Sequence, residues 1–304
     1  MDKQRSQKIL TQILIVGFIC MMCTVFVSCG SGSDSDPSKD QTDSTVEDTG
    51  TFGKFQKTAR KASRKIARAV NRKFPKPISR EKVYRLKNGT RLTKKTIKKN
   101  GGRSRYFRIY KIKKGDRVYK KIYGKSFRNN SAISLSELRY IKTLHYDFDE
   151  KIRTGEIIVN QSIARDTMEV FRELYDAKYQ IRKMRLVDNY YTDDGSGIEA
   201  DARSMNDDNT SGFNYRTVIG TNTISMHGYG RAIDVNPFEN PWCPGGILHA
   251  NQQKSAEYAN RGINTGVRKP HMIFLDSEIT GIFKKHGFRW LGETGTHDYQ
   301  HFEK

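Results

Sequence analysis

The stretch HGYGRAIDVNP, residues 227–237, packs a histidine, an aspartate and two glycines closely together in a chain dominated by polar and basic residues. Its second half alternates, so a strand there sets Ala232, Asp234 and Asn236 on one face and turns Ile233 and Val235 toward a core. His227 precedes that strand by a glycine-flexed turn, which can fold its imidazole back beside Asp234. A neutral imidazole and a carboxylate are both good zinc ligands, but two protein ligands are one short of a catalytic site. Taken alone, such a pair is equally a structural hydrogen bond.

A third ligand is available at the chain end, HDYQHFEK, residues 297–304, where Asp298 and His301 stand three apart. Two histidines and one carboxylate leave a fourth position on zinc for water, and a nearby unligated carboxylate can take that water's proton. Asp298 suits this second role. His145, His249, His271, His286 and His297 show no such partner spacing and read as core or surface histidines. His286 also lies near a helix end, where a cation is favoured.

Around these motifs the chain reads as helices mixed with short strands, an α+β domain over residues 131–304 with a small antiparallel sheet packed by helices. Ala164, Met168, Phe171 and Tyr175 fall on one helical stripe. A strand is expected over YQIRKMRLVDNY, with Met184 and Leu186 on one face, and a later helix through Ile279, Ile282 and Phe283 stops at Gly287.

The 304-residue chain carries a net charge of +22, and that charge is segregated. Residues 54–128 hold 30 Lys and Arg against Glu81 and Asp116, so the remainder is slightly acidic. Phe55, Ala59, Ala62, Ile66, Val70 and Phe74 recur at helical spacing until Pro75 and Pro77, which predicts a basic amphipathic helix. Asn88-Gly89 and Gly115-Asp116, each flanked by β-prone residues, predict hairpins, hence a small β module within residues 54–130. Interleaved basic and aromatic residues can bind nucleic acid, but no nucleic-acid motif accompanies them. Anionic envelope polymers or phospholipid headgroups are the expected partners, because the N-terminus reads as an export signal.

That signal occupies residues 1–28: a short basic stretch, then an apolar run ending in FVSC. FVSC resembles a bacterial lipobox, which would lipidate Cys29; the alternative is an uncleaved signal anchor, and both put the rest of the chain outside the cytoplasmic membrane. Residues 29–53, polar and acidic, read as a flexible linker. Cys20 and Cys23 lie in the apolar run and only Cys243 remains in the globular part, so any metal must be held by nitrogen and oxygen.

SMHGYGRAID resembles the SxHxxGxAxD motif of the M15 metallopeptidases, the D-alanyl-D-alanine carboxypeptidases and L-alanyl-D-glutamate endopeptidases of peptidoglycan, and DYQHF is similar to their C-terminal metal motif. The likeness extends to LRYIKTLHYDFDEKIRTGEIIVN, NTSGFNYR and DVNPFENPW, so it runs over residues 131–304. It implies that His227, Asp234 and His301 hold Zn²⁺ and that Asp298 is the general base. Arg216 of FNYR would contact substrate and stabilise the oxyanion, a task suited to a fixed cation. Ser225, Tyr215 and Tyr299 are motif positions that would shape the substrate pocket. In WLGETGTHDYQHF the chain departs from the family, with Leu291 in place of a glycine and no second tryptophan, which bears on the substrate groove. The resemblance implies a lipid-anchored zinc peptidase acting on peptidoglycan stem peptides, as carboxypeptidase or endopeptidase. The alternative is a non-catalytic wall-binding lipoprotein on the same scaffold.

Overall fold

The computed structural model describes residues 54, 57–66, 76–193, 195–261 and 268–304. The signal segment, Cys29 and the acidic linker lie outside the described residues, as do residues 55, 56 and 67–75 of the expected basic helix. The chain divides into two units, residues 1–65 and 66–304. In the first, residues 57–65 are helical and exposed. Among the described residues no helix is long and apolar enough to cross a membrane.

The second unit is built on a four-stranded antiparallel sheet in the order β1-β4-β3-β2. Its centre is a long hairpin of β3 (Leu138–Tyr146) and β4 (Ile152–Asn160). β1 (Arg91–Leu92) and β2 (Arg108–Lys111) flank it. The sheet is covered on both faces. Ile141, Ile157 and Val159 pack with Val170, Phe171 and Leu174 of a long helix, while Leu138, Tyr140 and Ile158 pack with Ile112, Val118, Ile122 and Phe127. Each such apolar side chain contributes about 2 kcal/mol on burial, so the basic region supplies a large share of one hydrophobic layer.

The predicted hairpins of that region are not formed. Residues beside Asn88-Gly89 make helix α1 (Arg80–Arg85), N-capped by Ser79 and laced by an Arg85–Glu81 ion pair at 2.5 Å. Gly89 serves the turn into β1, with φ 74°. A second short helix, α2 (Lys94–Lys99), buries Ile97. At Gly115-Asp116, the aspartate accepts from the Tyr119 amide at 2.8 Å and caps α3 (Arg117–Ile122). Gly115-Asp116 therefore marks a helix start and Asn88-Gly89 the turn from α1 into β1, and β1 and β2 complete the sheet of the later residues rather than a module of their own.

The long helix is α4 (Ala164–Asp176), burying Ala164, Thr167, Val170, Phe171, Leu174 and Tyr175, close to the expected stripe. It ends where Lys178 takes a left-handed conformation, φ 58°. The strand expected after it is only β5 (Lys183–Met184), parallel to β6 (Asn209–Thr210). Met184 and Leu186 are both buried but serve different apolar clusters. Between them in sequence lies α5 (Gly197–Asn206), N-capped by Ser196.

A three-stranded sheet closes the chain, with β9 (His301–Glu303) between β7 (Ala232–Asp234) and β8 (Arg289–Trp290). Short α6 (Ala256–Ala259) and the expected helix α7 (Glu278–Lys285) precede it. Phe302 stacks on Phe283 of α7 with ring centroids 3.9 Å apart, and Ile233 joins the same core. The architecture is α+β with small antiparallel sheets packed by helices, as expected.

Candidate metal centre and its surroundings

Register in the C-terminal sheet makes the centre. β7 and β9 pair antiparallel with Asp234 opposite His301 and Ile233 opposite Phe302. A slip of one residue would exchange His301 for Phe302 on the site face, so the packing of Phe302 against Phe283 also fixes the ligand.

His227 comes from the turn. The Gly230 amide donates to the His227 carbonyl at 3.0 Å, closing the loop, and the Gly230 carbonyl accepts from the Asn160 amide at the end of β4, 2.7 Å away. Gly230 has φ 65°, and a Cβ there would lie 2.8 Å from the Asn160 nitrogen, so only glycine fits. The imidazole is oriented from behind, because Nδ1 donates to the Gly212 carbonyl at 2.7 Å. A carbonyl only accepts, so Nδ1 carries the proton and Nε2 faces inward with its lone pair. Gly212 is pressed on β4, where a Cβ would meet the Ile158 carbonyl oxygen at 2.6 Å.

Three ligand atoms converge. His227 Nε2 lies 3.1 Å from Asp234 Oδ2 and 3.2 Å from His301 Nδ1, which is itself 3.2 Å from Asp234 Oδ1. A tetrahedral zinc with bonds of roughly 2.1 Å spaces its ligand atoms by roughly 3.4 Å, so nitrogen, nitrogen and carboxylate oxygen stand where such a cation requires. Among the described residues this is the one His, Cys or acid cluster with that convergence. Its electrostatics agree. Burial alone would raise the Asp234 carboxyl, but His227 and His301 hold it well below the usual carboxylate range. Burial works against charge on His301, yet its bonds to Asp234 and Glu303 raise it. The pocket thus favours positive charge between these groups, as a proton or as a cation that displaces one.

Asp298 stands beside the cluster, its Oδ2 4.0 Å from His301 Nδ1 and its Oδ1 buried without a hydrogen-bond partner among the described residues. Burial, above all, pushes the carboxyl up to about 7, with Asp234 adding to it and His301 opposing. A carboxylate in that range can both take and return a proton near neutral pH. Its backbone bridges to Trp242, whose ring stacks on His249 at 4.4 Å.

Arg216 is connected through backbone rather than side chain. Its carbonyl accepts from the Ser225 amide at 3.0 Å, and Ser225 Oγ accepts from the His227 amide at 3.3 Å. The guanidinium is held by Asp201 of α5 at 2.6 Å, and Nε is buried without a hydrogen-bond partner among the described residues. Tyr215 packs beside the second apolar cluster under Arg128, 5.7 Å from its ring. Tyr299 sits under Arg261, 4.2 Å from its ring, and its carbonyl accepts from Trp290 Nε1. The other histidines fill structural places: His145 is buried in the sheet, its pKa lowered to about 4 by burial, His271 stacks on Phe148, and His286 ends α7 and meets Glu173 at 2.9 Å.

Sequence reasoning missed Asp201, the Gly212 carbonyl and Glu303. The first two have no local signal. Glu303 follows His301 by two on one strand, a spacing that places both on one face.

Residues 219–304 match a family model of the M15 peptidases described as D-alanyl-D-alanine carboxypeptidase. No curated protein and no solved structure matches the chain. The matched span contains His227, Asp234, Asp298 and His301; Tyr215 and Arg216 lie just before it.

Proposed function

We propose that this chain, an M15-family peptidase of the D-alanyl-D-alanine carboxypeptidase kind, is a zinc enzyme that hydrolyses peptide bonds in the stem peptides of peptidoglycan. The observation that carries the reading is the convergence of His227, Asp234 and His301 beside a buried, unpartnered carboxylate oxygen of Asp298. Zinc, when bound by those three residues, supplies Lewis acidity that makes water a nucleophile near neutral pH and polarises the scissile carbonyl. Asp298 takes the proton from the attacking water and later gives it to the leaving amine. Arg216, fixed by Asp201, offers a preorganised cation to the oxyanion of the tetrahedral intermediate. Ser225, Tyr215 and Tyr299 shape the pocket around the substrate, with Ser225 also bracing the His227 turn.

The same reading puts the enzyme on the outer side of the cytoplasmic membrane, anchored by lipid on Cys29, with the basic region of residues 54–130 resting against anionic envelope polymers or headgroups. The test is treatment of the purified full chain with a chelator, then with Zn²⁺, while products from a defined muropeptide are followed by mass spectrometry. Loss and return of product are expected, and the mass distinguishes released D-alanine from an internally cut stem. Cleavage that survives complete removal of metal would refute the zinc reading.

A further inference from the structure

Glu303 lies on β9 two residues beyond His301, so both side chains leave the strand on the same face. Its Oε2 stands 3.1 Å from His301 Nε2. Its Oε1 is bonded to Arg289 Nη2 of β8, the residue directly opposite it in the sheet. The three side chains therefore form a line across the sheet, from Arg289 through Glu303 to His301, ending at the nitrogen that faces Asp234 and His227.

The two imidazoles of the cluster are oriented by different means. For His227 a neutral backbone carbonyl accepts the outer N–H. For His301 the acceptor is a carboxylate, which binds the outer N–H more strongly and makes the inward nitrogen a better donor to a cation. Glu303 is itself only 13 % exposed on its side chain, and Arg289 holds its second oxygen, so its direction is fixed from both sides. His301 carries a further demand, since it uses Nδ1, the ring nitrogen nearer its own backbone, and a modest ring rotation would carry that lone pair away from Asp234.

We infer that Glu303, anchored by Arg289 across β8 and β9, is a positioning residue that holds His301 in the tautomer and ring orientation needed to ligate the metal. This rests on the zinc reading above. Glu303 touches neither water nor substrate in this role, and it acts through His301.

The test is zinc affinity of the full chain, titrated against a chromogenic competing chelator, for the wild type, E303Q and E303A. Thermal unfolding of each metal-free protein checks the fold. We expect E303A to bind zinc about 10- to 100-fold more weakly, with E303Q between it and the wild type because the amide oxygen still accepts the Nε2–H. A purely structural Glu303 would lower the unfolding temperature and leave the affinity of the folded protein unchanged. If E303A does not fold, the near-isosteric E303Q decides alone, and wild-type affinity in that folded variant would overturn the inference. A wild type that binds no zinc overturns the zinc reading itself, which is a separate result from zinc-loaded variants matching the wild type.

Discussion

Lys142 and Glu156 show how one pair of residues divides its energetic roles. They face each other across β3 and β4, and both are almost fully buried. Glu156 is held by Lys121 at 2.9 Å, by the Tyr140 hydroxyl at 2.6 Å and by Lys142 at 3.7 Å, whereas Lys142 otherwise donates to the Leu86 carbonyl at 3.1 Å and lies 6.0 Å from the Tyr140 ring. Burial, opposed by Glu156, lowers Lys142 to about 8. Between pH 8 and the usual lysine range the unfolded chain binds the extra proton, so this residue makes stability rise with pH in that window. Removing Glu156 strands a buried cation: Glu156→Leu is expected to cost up to about 3–5 kcal/mol while Lys142 stays charged, with part recovered once the pH passes the still lower value that Lys142 takes without Glu156. Lys142→Met leaves Glu156 its two better partners and is expected to cost less than about 2 kcal/mol. Urea denaturation of both variants at pH 7 and pH 9.5 checks the asymmetry.

At the scale of elements, legibility follows how local the physics is. The His227 turn and the β7 alternation were readable because a glycine turn and a period of two are set within a few residues. So was Asp298 beside His301, three apart near the chain end. The central hairpin β3–β4 left no clean alternation, because eight of nine residues in β3 and seven of nine in β4 are buried, with helices on both faces. Asn88-Gly89 and Gly115-Asp116 misled for a different reason. Glycine with positive φ serves several turns alike: Gly89 leads from α1 into β1, and at Gly115-Asp116 the Asp116 cap, formed with the Tyr119 amide three residues on, selects a helix. Asp201 and Glu303 owe their placement to partners in other elements, through the fold around α5 and the pairing of β8 with β9. The pairing of Asp201 with Arg216 has no sequence period, and the two-residue spacing of Glu303 from His301 gives a shared face but not the Arg289 partner.

On the scale of the molecule, the charge boundary near residue 130 is not a packing boundary. Val83, Ile97, Tyr106 and Phe107 join the main apolar cluster, and Ile112, Val118, Ile122 and Phe127 join the second, all from the basic region. The exposed cations ride on elements whose apolar sides complete the catalytic unit. A chain beginning at Ser131 would lose both edge strands and bare Leu138, Tyr140 and Ile158. It is expected to lack a cooperative unfolding transition and to bind a hydrophobic dye, whereas a chain beginning at residue 76 should unfold cooperatively. A cooperative, dye-free fragment from Ser131 would show that the basic region is an independent appendage.

Asp298→Asn separates, in one experiment, the proposed metal ligands His227, Asp234 and His301 from the proposed proton carrier Asp298. Zinc content and peptide release from purified peptidoglycan are measured together on the full-length wild type and variant. One zinc per chain is expected in both proteins, with release by the wild type and a loss of at least about 100-fold in the variant. Equal release by the two proteins would contradict that assignment of roles, as would a zinc-loaded wild type that releases nothing.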